Sequence, residues 1–209
     1  VVEGSATVLE VHLTEGNTLR IKDNGRGIPI DKHPKFKNKS ALEVILTTLH
    51  SGGKFNDKVY ETSGGLHGVG ISVVNALSDK FIVEVYRGGY KYFQSYKRGK
   101  PKNKLTKKPL KNIRGTLIEF HPDEQIFGKY NQFSPERLYF LCKSKAYLQN
   151  KVEIRWLCDS SYKLSKIPYK DTLKFPGGIL EAMKTELGST EFVTDNFFTG
   201  SSNIRDNEK

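Results

Sequence analysis

Asp23-Asn24-Gly25-Arg26-Gly27-Ile28-Pro29 is the stretch on which the reading of this chain turns. It closes an alternating run in which Leu19, Ile21 and Asp23 share one strand face. The alternation aims a carboxylate from the apolar side of a sheet, just ahead of a glycine-rich turn. Burying such a group is costly unless it is paired. Two readings of Asp23 satisfy that demand. It accepts a hydrogen bond from a ligand, such as the exocyclic amino group of an adenine. Or it caps the Gly25–Gly27 turn through its own backbone, a job to which Asn24 is better suited.

Upstream, Leu9, Val11 and Leu13 alternate as a second strand, with Glu15-Gly16-Asn17 as the turn between the two. Downstream, residues 31–39 read as a Lys/Pro loop. Ser40-Ala41-Leu42-Glu43 reads as a capping box, opening a helix with Leu42, Ile45, Leu46 and Leu49 on one face. Residues 50–68 are glycine-rich and aperiodic, a long loop of the kind that is usually functional. They end in Ser63-Gly64-Gly65-Leu66-His67-Gly68-Val69-Gly70, which runs into a helix reaching about Leu77. The segment Gly65–Gly70 has the composition of an anion cradle, in which backbone N–H groups approach phosphate oxygens. It matches neither the dinucleotide-binding fingerprint nor the Walker loop, because Phe55 follows Gly52-Gly53-Lys54 where a magnesium-holding Ser or Thr would stand. Lys54 is either a cation folding over phosphates or a solvated lysine. His67 is either a phosphate donor or a structural histidine.

Strands follow at Phe81–Tyr86, Tyr90–Tyr96 and Thr116–His121, the first two joined by Arg87-Gly88-Gly89. Ser134-Pro135 opens a helix to about Leu148. Val152, Ile154, Trp156 and Cys158 mark a strand, a weaker one is expected near Lys163–Ile167, and a last helix runs from Ile179 to Leu187 before Gly188. The order mixes α and β without regular βαβ alternation, which is an α+β class rather than a dinucleotide fold.

The 209 residues carry a net charge of +11, much of it local: from Lys97 to Arg114 there are nine Lys/Arg and no acid. That run reads as a solvated loop or hairpin, or as a surface for a phosphate-rich partner. After Tyr96 it is nearly free of aromatics, so any nucleic acid it meets would be duplex, held through phosphates without sequence choice. Aromatic residues at 11% argue against disorder, and no run of 18 apolar residues offers a membrane span. Cys142 and Cys158 read as two buried free thiols. The sequence shows no metal-ligand cluster and no nucleophile with its base.

The combination DNGRGIP, LHSGGKF and SGGLHGVGISVVNALS, in that order, resembles the ATPase domain of bacterial type II topoisomerase B subunits, within the GHKL ATPase superfamily. The likeness continues through Arg114-Gly115-Thr116, Ser144–Leu148 and Phe175–Ile179, nearly the whole chain. The wording around Phe133-Ser134-Pro135 and Ser144–Leu148 is closer to topoisomerase IV than to gyrase. The resemblance implies a two-layer mixed β-sheet with helices on one face. It implies residues 1–173 as an ATPase domain lacking its amino-terminal part, and 174–209 as the start of a transducer domain. Asp23 would receive the adenine amino group with Thr116 assisting through water. Gly27, Ile28 and Pro29 would line the base pocket and Arg26 its mouth, with Tyr60 as a lid residue. Gly53, Lys54, Gly65, Leu66, His67, Gly68, Val69 and Gly70 would surround the triphosphate. Register puts Phe93 where many members place a pocket-rim arginine.

The resemblance further implies ATP and Mg2+ as cofactors, and a DNA duplex, the A-type cleavage subunit and a second B subunit as partners. The setting would be the bacterial cytoplasm, at the nucleoid. The family's water-activating glutamate and magnesium-holding asparagine would precede Val1, and its γ-phosphate lysine would follow the chain. The expectation is a fragment that recognises ATP without hydrolysing it alone. Against this stand a gyrase B subunit, a silent duplex-binding module using the 97–114 run, and a mismatch-repair ATPase, which the LHSGGKF segment disfavours.

Overall fold

The computed structural model of the chain describes residues 5–33, 36, 38–49, 68–188, 197 and 200. Strand β1 (Val8–Thr14) turns into β2 (Thr18–Asp23), antiparallel, with Leu9 opposite Asp23 and Leu13 opposite Leu19. Further strands are β3 (Ser78–Arg87), β4 (Tyr90–Lys97), β5 (Lys100–Pro101), β6 (Thr106–Pro109), β7 (Gly115–Pro122), β8 (Glu153–Cys158) and β9 (Lys170–Leu173). Among the described residues they form one sheet in the order β5-β4-β3-β7-β2-β1-β8-β9, with β6 also pairing β4. Only β1 and β8 run parallel; every other pair is antiparallel.

The pleat lines up side chains in rows across the sheet. One row reads Cys158, Leu13, Leu19, Phe120, Phe81, Tyr96; the next reads Trp156, Val11, Ile21, Ile118, Val83, Gln94. Both face the helices. The helices are α1 (Ala41–Thr47), α2 (Gly70–Ala76), α3 (Glu124–Phe127), α4 (Pro135–Leu148) and α5 (Gly178–Leu187). Cys142 and Ala146 of α4 pack with Val11, Leu13 and Trp156; Leu42 and Leu46 of α1 pack with Phe81, Val83 and Tyr96. The opposite face is a charge ladder. Glu119 receives Arg20 at 3.3 Å and Lys80 at 2.8 Å, while Glu10 receives Lys22 and Arg155, each at 3.6 Å. Such exposed pairs contribute about 0–1 kcal/mol apiece, so the helix side holds the fold. This is the expected α+β sheet with its helical layer on one face.

Local signals behave largely as expected. Ser40 Oγ accepts from Glu43 N at 3.1 Å and Ser134 Oγ from Arg137 N at 3.3 Å, so both caps form. Both cysteines are free and buried, and burial pushes each thiol up to about 11. Two expectations need correction. Helix α1 ends at Thr47, with Thr48 already extended, so Val44 rather than Ile45 joins the core and Leu49 is exposed. The segment Lys163–Ile167 is not a strand; Ile167 plugs the core, and pairing starts at Lys170, after Pro168 has taken the Trp156 Nε1 hydrogen bond at 3.0 Å. The basic run after Lys97 supplies β5 and β6, both on the outer edge of β4.

Candidate nucleotide site

The row following the two apolar ones decides the site. It begins Ile154, Leu9, Asp23 and, one register step past the Lys22–Leu117 pair, meets Thr116, Val85 and Tyr92. Asp23 is the one carboxylate in it. The strands end here, so the middle of the row, Leu9, Asp23 and Thr116, opens into a cavity of about 500 Å3, while Ile154 and Val85 at its two sides pack under helices. Asp23 and Thr116 form its floor. Gly25, Arg26, Gly27, Ile28 and Pro29 form one wall, and Ala6, beside Gly25, and Leu9 contribute apolar surface.

Two glycines allow this geometry. Gly115 has φ +126°, and a Cβ there would stand 1.9 Å from the Asp23 carbonyl oxygen. Strands β7 and β2 therefore close tightly beneath the carboxylate only because position 115 has no side chain. Gly27, at φ +74°, would drive a Cβ to 3.0 Å from Val85 and 3.2 Å from the Gly115 carbonyl. The loop thus lies directly on β3 and β7.

The two readings of Asp23 turn out to be compatible. Its Oδ1 accepts from Gly25 N at 2.7 Å, so it caps the turn itself. Asn24, the better candidate by residue type, is committed elsewhere. Its Oδ1 takes the N–H groups of Thr7 and Val8 at 2.8 and 3.0 Å, and its Nδ2 donates to Thr7 Oγ1 at 2.9 Å. One Asp23 oxygen fixes the carboxylate's orientation and leaves Oδ2 as an acceptor toward the cavity. Thr116 Oγ1 accepts from Ile28 N at 3.3 Å, which pins the loop and leaves its hydroxyl proton to donate. A fixed acceptor beside a hydroxyl, between apolar walls, is the donor–acceptor set that reads the edge of a flat heterocycle.

The rim differs from expectation. Phe93 pairs with Glu84, whose carboxylate meets Lys91 on the face away from the helices, and it does not line the cavity. Arg87 does. Its Nη1 donates to Gly27 O at 3.0 Å and reaches Arg26 O at 3.5 Å, holding the loop from outside. Arg87 is the last residue of β3, paired with Tyr90, where the sequence reads only a turn residue; the β3–β7 register brings it to the loop.

Of the phosphate-shell residues, Gly68 has φ +61°, Val69 caps α2, and Gly70 is its first residue; none of the three lines the cavity. Gly53, Lys54, Tyr60, Gly65, Leu66 and His67 lie outside the described residues. Behind Asp23, on the charged face, a cavity of about 300 Å3 is bordered by Glu10, Lys22, Arg114 and Arg155. Lys22 and Arg155 already share Glu10, so it offers less to a ligand. Among the described residues no group of three or more His, Cys, Asp or Glu gathers to hold a metal.

Residues 2–126 match the histidine kinase-, DNA gyrase B- and HSP90-like ATPase family, and the chain belongs to it. An ATP-binding domain is what that membership gives, in keeping with an acceptor and a hydroxyl on the floor of the cavity. Among particular relatives, it is 50% identical over 202 residues to the B subunit of DNA topoisomerase 4 from Bartonella bacilliformis, covering 95% of this chain and 29% of that protein. Identity to the corresponding topoisomerase 4 protein of Caulobacter vibrioides is 46% over 199 residues, with 95% and 29% covered. The B subunit of DNA gyrase from Thermotoga maritima is 42% identical over 176 residues, covering 84% of this chain and 26% of its own length. The fold is similar to the 43K ATPase domain of Thermus thermophilus gyrase B, crystallised with an aminocoumarin. The TM-score there is 0.75 and the identity 31%, over 92% of this chain and 46% of that one. The chain spans about 30% of the length of the topoisomerase relatives it matches.

Proposed function

We propose that this chain is the ATP-recognising part of a topoisomerase IV B subunit, with Asp23 as the residue that reads adenine. The observation behind it is the Asp23 row: a carboxylate oriented by Gly25 N–H, beside Thr116, at the open end of an apolar sheet face. Asp23 Oδ2 accepts from the adenine amino group and Thr116 supplies the second polar contact. Ile28 and Pro29 flank the base, Gly27 lets the loop lie flat, and Arg26 and Arg87 stand at the mouth. Gly53, Lys54, Tyr60 and Gly65–Gly70 are assigned to ATP by the family resemblance, Tyr60 near the base and the others to the triphosphate. Magnesium would accompany the nucleotide, but no described residue is assigned to it.

In the whole protein, ATP would close a gate between two B subunits around a DNA duplex, working with the A-type subunit in the bacterial cytoplasm. Residues 174–209 would begin the next domain; α5 leaves Ile179 and Met183 exposed, as a domain junction requires. No described helix is long and apolar enough to cross a membrane. The gyrase reading is second, because the gyrase B relative is less identical over a shorter span than the topoisomerase 4 relatives.

Asp23→Asn tests the assignment. The asparagine oxygen still accepts from Gly25 N–H, so the turn survives, while the group facing the cavity becomes a donor. A hydrogen bond to a charged group is worth about 1.5–3 kcal/mol, so affinity for a non-hydrolysable ATP analogue should fall by roughly 10- to 150-fold. Calorimetric titration of the chain reads it. Unchanged affinity in the folded variant would remove Asp23 from the base site.

A further inference from the structure

No residue of the basic run between β4 and β7 lines the nucleotide cavity; its last residues border the smaller one. The structure makes it a ridge. β5 pairs with the end of β4 (Tyr96–Pro101, Lys97–Lys100), and β6 pairs with its start (Tyr90–Pro109 to Phe93–Thr106). Every residue of β5 and β6 is exposed. The ridge is also held in shape. Asn103 Oδ1 accepts from Ser95 N at 2.8 Å, and Asn103 O accepts from the buried Gln94 Nε2 at 3.2 Å. Lys107 Nζ sits 3.7 Å over the Tyr90 ring, and Arg98 is anchored on the buried Asp123.

Its charges are unlike the ladder on the sheet face turned away from the helices. There Arg20, Lys22, Lys80, Lys91 and Arg155 each have a carboxylate partner. On the ridge, Lys100, Lys102, Lys104, Lys108 and Lys111 form no ion pair among the described residues, while Arg114 leaves it for the smaller cavity beside Glu10. Blocking an open strand edge takes only a lysine or a proline, and Pro101 and Pro109 already stand there. Five unanswered cations on a fixed scaffold are a surface built for an anion array.

The length of the edge bears on the type of anion. From Lys91 to Lys97, β4 spans six residue steps, about 20 Å at roughly 3.4 Å each. That matches about six steps of duplex DNA, whose phosphates recur every 3.4 Å or so along each strand. The ridge lacks free aromatic faces for unpaired bases, since Lys107 covers Tyr90. It also lacks the Trp, Phe and Leu face with which a basic segment enters a membrane.

We propose that the β4–β5–β6 edge is a docking surface for the backbone of duplex DNA, independent of sequence. The choice of DNA among polyanions rests on the topoisomerase reading. With four phosphates engaged, the logarithm of affinity should fall with that of salt at a slope of about −3.6, roughly 150-fold between 50 and 200 mM.

The test compares Lys104→Glu/Lys108→Glu with Lys166→Glu/Lys170→Glu, which carries the same formal charge but lies in the β9 region, away from the ridge. Fluorescence anisotropy with two unrelated 20-base-pair duplexes, from 50 to 200 mM KCl, reads affinity and slope. The ridge variant should lose at least tenfold and flatten the slope by about 2, while the distant pair changes less than threefold and the two duplexes bind alike. Equal losses in both variants, an unchanged slope, or a 20-nucleotide single strand outcompeting the duplex would overturn the proposal. Melting temperatures check that both variants fold. Titration with the ATP analogue separates the two claims: no analogue binding in any form refutes the nucleotide reading and leaves a ridge-specific loss standing as polyanion docking.

Discussion

Gly115→Ala probes the closest approach in the molecule. An alanine Cβ would lie 1.9 Å from the Asp23 carbonyl oxygen and 3.1 Å from Asn24 Cα, both backbone, at φ +126°. Two costs add. A side chain held in that backbone region costs about 1–3 kcal/mol, and prising β7 from β2 to admit a methyl group costs about 1–3 kcal/mol more. About 4 kcal/mol of lost stability should lower the melting temperature by roughly 8–16 °C in a chain of this size. Gly16→Ala is the control: φ is +69° there with nothing within 4 Å, so only the left-handed backbone cost of about 1–2 kcal/mol applies. The shift that opens the strands also displaces Asp23, so Gly115→Ala should weaken ATP-analogue binding at least tenfold below its melting range, and Gly16→Ala should not. Differential scanning fluorimetry with and without the analogue reads both quantities. If the two variants melt within about 2 °C of each other, or Gly115→Ala keeps full affinity, the close approach does not govern the site.

Asn17 is buried, with Nδ2 donating to Asn131 O and Oδ1 accepting from Phe133 N, each at 2.7 Å. Asn17→Ala leaves both backbone groups unsatisfied and should cost about 3 kcal/mol in urea unfolding; a cost near zero would contradict this. Burial alone would raise the Glu84 carboxyl, but hydrogen bonds from Lys91 and Tyr86 and the Lys91 charge together hold it below the ordinary range. A depressed value means stability present above about pH 4.5 and lost as the pH falls through the folded-state value. The stability gap between the native chain and Glu84→Gln should therefore be largest near pH 7 and shrink as the pH falls below about 4.5; a gap independent of pH would refute the pairing.

The sheet, its caps and the Asp23 face are legible in the sequence because they rest on local rules: period-two alternation, Ser40 and Ser134 as caps, and glycines before helices. What escapes is set by distant partners. Asp23 takes the turn-capping role because Asn24 is claimed by Thr7 and Val8, a contact between strand ends. Arg87 reaches the loop because β3 lies beside β7, which no spacing within the hairpin reveals. Helix α1 stops early and buries Val44, since seven residues leave Leu49 beyond the packed turn. The strand expected at Lys163–Ile167 forms later because Ile167 is used as a core plug.

Strand β1 has one neighbour close in sequence, β2, and one far away, β8, with Leu13 beside Cys158. A ribosome making this chain therefore exposes Leu9, Val11 and Leu13 long before Trp156 exists to cover them. At about 5–20 residues per second the wait is on the order of ten seconds. During it the β1–β2 hairpin has an open, apolar edge that any passing strand could join. The nucleotide cleft hangs from that same hairpin, so ATP affinity reports the arrival of β8 and appears only when the last long-range pairing has closed.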